Sequence, residues 1–112
     1  MSDHGDLCWG CGAINPFGLH LELEPAGDGL AGRFFVKQDL QGPDGTLHHG
    51  VLAGALHEAL GRTGPVSGVE MSFTGQAPVG TFVVVEARAG EALARREEDG
   101  AVVARARRSD DG

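Results

Sequence analysis

The stretch that decides the fold is residues 48–62, which read HHGVLAGALHEALGR. Apolar side chains recur in it at intervals of three and four residues, the spacing of neighbours on one side of an α-helix. These side chains are Val51, Leu52, Ala55, Leu56, Ala59 and Leu60. Small residues between them suit a helix that lies close to a sheet. The pattern predicts a central helix over residues 48–62, which Gly61 or the following Gly64-Pro65 would end.

The chain on both sides of this helix is rich in strand-like runs, which alternate apolar with polar residues or are rich in β-branched ones. The predicted strands cover residues 19–24, 30–37, 66–73, 81–89, 91–97 and 101–108. Glycine-containing turns separate them, and the 19 glycines follow no repeat. The order predicts an α+β domain in which an antiparallel sheet wraps around one helix. We expect residues 1–112 to form this single domain, with residues 1–18 as an N-terminal arm.

Size and charge narrow the possible partners. A 112-residue chain buries a limited core alone, and an open sheet of this size usually pairs with another copy, so we expect a homodimer or homotetramer. The net charge of −7 argues against nucleic acid or an anionic membrane as a partner. The sequence has no bilayer-spanning apolar stretch and no signal-peptide pattern at its start, which predicts a cytoplasmic protein.

Two cysteines form one C-x-x-C pair, Cys8 and Cys11. A structural zinc ion would need two further ligands, from His4, His20 or a second subunit. A redox pair would sit where a strand meets a helix, whereas a turn signal follows here. Two reduced cysteines in the arm fit the pattern better than either alternative. We therefore expect no metal and no cofactor.

Groups able to do chemistry cluster on the predicted helix. Its polar start at His48, His49 and Gly50 leaves backbone N–H groups and the positive end of the helix dipole free to hold an anion or a polarised carbonyl. Further along, His57 and Glu58 are candidate acid/base groups. Adjacent helix residues point ~100° apart, so these two side chains cannot both face one pocket.

Four segments resemble the motifs of one family. Residues 8–21 (CWGCGAINPFGLHL) resemble the pattern C-x-G-C-G-x-x-N-P-x-G-L-x-L, and residues 41–53 (QGPDGTLHHGVLA) resemble Q-G…H-G-G-V-L-A. Residues 72–80 (SFTGQAPVG) resemble the strand and turn R-F-x-x-P-x-x-x-G, and residues 99–106 (DGAVVARA) resemble the closing hairpin. These motifs are those of hotdog-fold acyl-CoA thioesterases, in the branch related to the phenylacetate-pathway enzymes.

The resemblance implies a hotdog fold and hydrolysis of an acyl-CoA-type thioester at a site between subunits. It places the thioester carbonyl at the amides of His49 and Gly50, with His48 fixing the start of the helix. Ser72 and Thr74, on the following strand, are candidates for holding a water molecule or the acyl group.

Two departures from the family pattern leave the mechanism open. His49 stands at the middle glycine of H-G-G, and His57 stands at the acidic position nine residues after the first histidine. A neutral imidazole at His57 is a competent general base for water, although it rules out an anhydride route. If the helix is rotated by one residue, Glu58 becomes the base instead. The alternative is a catalytically impaired protein that binds an acyl or aromatic ligand without turnover, and a dehydratase is less well supported because its motif is missing.

Overall fold

The structure, a computed structural model, describes residues 21–42, 45–64, 66 and 68–109. Its helix α1 spans His49–Gly61, one residue shorter at each end than predicted. The strands are β1 (Glu24–Ala26), β2 (Gly29–Phe35), β3 (Val69–Phe73), β4 (Phe82–Arg88), β5 (Glu91–Arg96) and β6 (Val102–Arg108), and Gln38–Leu40 form a short 3-10 helix. The N-terminal arm, with Cys8 and Cys11, lies outside the described residues.

The beginning of the described chain differs from the prediction. Residues 21–23, predicted as part of a strand, are not in one, and β1 begins at Glu24 and includes Pro25, which was predicted to lie in a turn. Alternation indicated burial there, and Leu21 is indeed fully buried. A buried leucine does not require strand pairing, however. The backbone at Glu22 lies against Gly32, where a side chain would collide with the Glu22 carbonyl oxygen.

All six strands form one sheet, in the order β1-β2-β4-β5-β6-β3. Every pair is antiparallel, with Phe34 opposite Val83 and Val85 opposite Ala94. The chain crosses from β2 through α1 to β3 at the far edge, beside β6. Among the described residues β6 is the one strand paired with β3. The edge of β3 that lies away from β6 therefore presents backbone N–H and C=O groups that no described strand uses.

Helix α1 packs on one face of this sheet, which we call the inner face. Leu52, Leu56 and Leu60 are at most 2% exposed and belong to one buried core with Val83 and Val85 of β4. Small side chains on β5 and β6 let the helix approach closely. These are Ala92, Ala94, Ala104 and Ala106, all buried. A helix surrounded by such a sheet is the hotdog fold, so the predicted fold class is confirmed.

Alternate residues of the strands point to the opposite, outer face of the sheet. On α1, one stripe repeats every four residues and includes the exposed His49, His57 and Gly61 and the half-buried Ala53. No helix in the described part of the chain is both long and apolar enough to cross a membrane.

Candidate functional site

The start of α1 is built by a histidine cap. His48 has extended backbone angles, and its Nδ1 accepts the Gly50 N–H at 2.8 Å. Its backbone N–H donates to the Leu40 carbonyl at 2.9 Å, which ties the helix start to a buried residue of the preceding loop. Gly42 lies beside it, since a Cβ there would be 3.1 Å from His48 Cα. His48 therefore fixes where α1 begins.

The first two backbone N–H groups of α1 differ in whether they have a hydrogen-bond acceptor. The Gly50 N–H is taken by the His48 ring, whereas the His49 N–H donates to no acceptor among the described residues. Because the His48 ring accepts at Nδ1, its proton is on Nε2, which points a second donor away from the cap. His48, His49 and Gly50 are all exposed. The helix start thus presents the open His49 amide and the imidazole N–H donor of His48 at the positive end of the helix dipole.

The ring of His49 is held by an aromatic contact. It stacks on Phe73, with 4.5 Å between ring centroids and 11° between ring planes. Phe73 is the last residue of β3 and is 38% exposed. The helix start and the free edge of the sheet therefore meet at this pair.

His57 and Glu58 point in different directions, as helix geometry requires. His57 is exposed on α1 and has no hydrogen-bond partner among the described residues. Glu58 is 9% exposed, and its Oε2 accepts from Arg62 Nε at 3.2 Å, one turn further along. His57 shares its stripe with His49, but eight residues separate them, or about 12 Å along the axis. The two groups do not converge within one chain.

The structure does not bring Ser72 and Thr74 to the helix start. Ser72 lies opposite Arg105 on the outer face of the sheet, away from α1. The Thr74 hydroxyl donates to the Val102 carbonyl at 3.0 Å. Phe73, between them, is the residue of this segment that reaches the site. Sequence reasoning missed it, although strand alternation places Phe73 and Ser72 on opposite faces.

Charged groups gather elsewhere. An open groove of about 520 Å³ lies on the outer face, lined by Glu86, Leu93 and Arg105 among others. Arg107 pairs there with Glu70 at 2.8 Å, and this hydrogen bond raises the pKa of Arg107. The groove includes none of the helix-start residues. The described residues contain no group of histidine, cysteine and acidic side chains that could hold a metal ion.

Comparisons with known proteins support the fold. No family model matches the chain, and no curated protein matches it either. Solved structures do match. The PaaI protein of the phenylacetic acid degradation operon of E. coli is 15% identical, with a TM-score of 0.68 over 80% of this chain and 81% of that one.

Two vertebrate structures are similar to the same extent. Thioesterase superfamily member 2 from zebra fish is 17% identical, with a TM-score of 0.63 over 79% of this chain and 78% of that one. The mouse protein of the same name is 20% identical, with a TM-score of 0.65 over the same shares. At these identities the similarity establishes that the chain has the hotdog fold of these structures. It does not establish which reaction the chain catalyses.

Proposed function

We propose that this protein hydrolyses an acyl-CoA-type thioester at a site shared by two copies of the chain. The observation that carries the proposal is the open, exposed His49 amide at the start of a helix, flanked by the His48 imidazole. A thioester carbonyl becomes an oxyanion during hydrolysis, and N–H groups held in place beforehand stabilise that charge. The thioesterase-superfamily folds among the structural neighbours agree with this chemistry.

In this proposal the carbonyl oxygen binds at the open His49 N–H. The amide of Gly50 joins it only if the His48 ring gives up its hydrogen bond to that amide. The helix dipole adds partial positive charge at the same point. The His49 N–H does not have to move during the reaction.

The water-activating base in this proposal is His57, and it comes from a second copy. Because His49 and His57 are about 12 Å apart along one helix, one chain cannot supply both groups to one carbonyl. Antiparallel pairing of β3 with the same strand of a partner uses the free edge and sets two helices side by side in opposite directions. The partner subunit's His57 then comes beside His49. The expected assembly is a homodimer, alone or within a homotetramer.

The chemical steps use these groups only. His57 takes a proton from a water molecule, whose oxygen attacks the carbonyl carbon and forms a tetrahedral oxyanion at the N–H donors. Collapse of this intermediate breaks the C–S bond. The leaving thiolate takes the proton back from the imidazolium, which releases the free acid and the thiol. Glu58 is the second candidate base, but it would have to leave its buried contact with Arg62.

Hydrolysis of a panel of acyl-CoAs, followed by reaction of the released thiol with Ellman's reagent, tests the proposal. Removing a general base typically slows catalysis by about 10²–10⁴-fold, so His57→Ala should lower kcat by that factor. Glu58→Gln keeps the shape of the buried side chain and should leave kcat within a few-fold. Arg88→Ala, an exposed substitution on the outer face, is the control for nonspecific effects of mutation and purification. Absence of turnover across the panel, or full activity in His57→Ala, contradicts the proposal.

One observation favours a second candidate, a protein that binds an acyl or aromatic ligand without turning it over. The exposed stripe of α1 carries histidine where the related enzymes place a carboxylate, and the nearest carboxylate, Glu58, is buried in an ion pair. Calorimetric titration with acyl-CoAs separates the two candidates. Micromolar binding without thiol release, unchanged by His57→Ala, establishes the binding protein.

A further inference from the structure

The two histidine rings at the start of α1 turn away from each other. The ring of His48 reaches back to the Gly50 amide and lies against Gly42. The ring of His49 reaches the edge of the sheet and stacks on Phe73.

A side chain at the first position of a helix has other rotamers to choose from. His49 is exposed in the single chain, so no described residue of its own chain walls in the ring, and staggered rotation about χ1 gives it alternative positions near the helix start. A ring that swings over the N–H groups would cover them. Glycine at this position, as in the related motif, would carry no such ring.

Phe73 is well placed to prevent this motion. The backbone that follows it is fixed to β6, because the Thr74 and Gly75 N–H groups both donate to the Val103 carbonyl, at 2.8 and 3.2 Å. Its ring points to the inner face, opposite Ala104, a side chain too small to cover it. Its ring therefore offers a face at the sheet edge on which the His49 imidazole stacks, and Phe73 remains 38% exposed in that arrangement.

We propose that Phe73 is a positioning residue that acts through His49: it holds the imidazole against the sheet edge and so keeps the His49 amide open for the substrate carbonyl. This inference rests on the proposed function of that amide. Phe73 itself touches neither the carbonyl nor the attacking water. Its effect is on the fraction of molecules whose helix start can accept substrate, and apparent affinity scales with that fraction.

The size of the effect follows from the strength of the contact. Aromatic pairs of this geometry shift an equilibrium by about 2- to 12-fold beyond simple burial. Phe73→Ala should therefore raise KM, by up to about 12-fold, and leave kcat within two-fold, because molecules with the amide open react as before. Phe73→Tyr, which preserves the ring face, should keep the wild-type KM.

A double-mutant cycle separates this role from a structural one. In His49→Gly there is no ring to hold, so adding Phe73→Ala should not raise KM further. If Phe73 merely supports the fold, the two changes raise KM independently, which would overturn the inference. Phe35→Ala is the matched control, since Phe35 is 43% exposed and stacks edge-on with Phe82 at 5.2 Å on the outer face. It should leave KM unchanged.

Two measurements by NMR on the whole protein keep the test independent of turnover. The His49 ring protons should lose their ring-current shift in Phe73→Ala, and the His49 amide should exchange with solvent more slowly once the ring can cover it. Unchanged amide exchange in Phe73→Ala overturns the inference even if the enzyme is active. A protein that hydrolyses no acyl-CoA yet shows both NMR changes overturns the proposed function and keeps the positioning role of Phe73.

Discussion

The histidine cap of α1 makes a quantitative prediction. Replacing His48 by alanine removes the acceptor for the Gly50 N–H, which is held at 2.8 Å, and leaves that amide to solvent. Loss of a side-chain cap destabilises a protein by about 0.5–2 kcal/mol, typically ~1. The contacts of His48 with Gly42 and its backbone bond to Leu40 put this helix start within the fold, so we expect the middle of that range.

Urea denaturation followed by far-ultraviolet circular dichroism measures this loss as a lower midpoint at an unchanged m-value. All variants must be compared at one protein concentration, because the proposed dimerisation would stabilise the folded state by mass action. Asparagine is among the best capping residues, so His48→Asn should recover most of the loss. Arg88→Ala, an exposed change on the outer face of the sheet, is the control and should change the unfolding free energy by less than about 0.5 kcal/mol.

The reasoning fails if His48→Ala unfolds at the same urea concentration as the wild type. It also fails if His48→Asn is as unstable as His48→Ala, since the loss would then come from packing of the imidazole. A loss in Arg88→Ala as large as that in His48→Ala would show that the effect is not specific to the cap.

Three further predictions concern the core, two glycine positions and an ion pair outside the helix start. Leu56→Ala opens a cavity beneath the middle of α1, where Leu56 is fully buried, and should lower the unfolding free energy by about 2–5 kcal/mol in the same urea assay. Gly32→Ala places a Cβ against the Glu22 carbonyl oxygen and should strongly destabilise the fold, whereas Gly61→Ala, where a Cβ meets nothing within 4 Å, should be neutral or stabilising by up to about 1 kcal/mol. The hydrogen bond from Arg96 holds the pKa of the Asp99 carboxyl below its ordinary value of 3.8, with help from the Ala101 amide. The stabilisation by Asp99 is therefore complete above pH 3.8 and lost as the pH falls through the lower folded-state pKa, and NMR titration of Arg96→Ala should show the Asp99 pKa moving back up.

Much of the fold could be predicted because local pattern and tertiary environment agree. The spacing of Leu52, Leu56 and Leu60 indicates a helix with a buried side, and β4 has the β-branched composition of a central strand. The first strand is where prediction failed. Alternation reports burial of one side, and Leu21 is buried without pairing in a strand.

The candidate site was predictable only in part. The motif around residues 48–50 placed the helix start correctly, and the 100° rule correctly separated His57 from Glu58. Which of the His57 and Glu58 side chains is exposed depends on how α1 is rotated about its axis. That rotation is set by the packing of the helix on the sheet. Ser72 and Thr74 were predicted as binding residues because they are polar. The side chain of this segment that reaches the helix start is instead that of Phe73.

By itself the sequence determined the central helix, the antiparallel strands around it and the polar helix start. Periodicity and turn chemistry are local properties, and they suffice for these features. Only the tertiary structure decided that the Gly50 amide is occupied by His48 while the His49 amide is open. It also decided that the His49 ring rests on Phe73, 24 positions further along the chain. Such contacts depend on how distant segments meet in three dimensions, which short-range patterns do not encode.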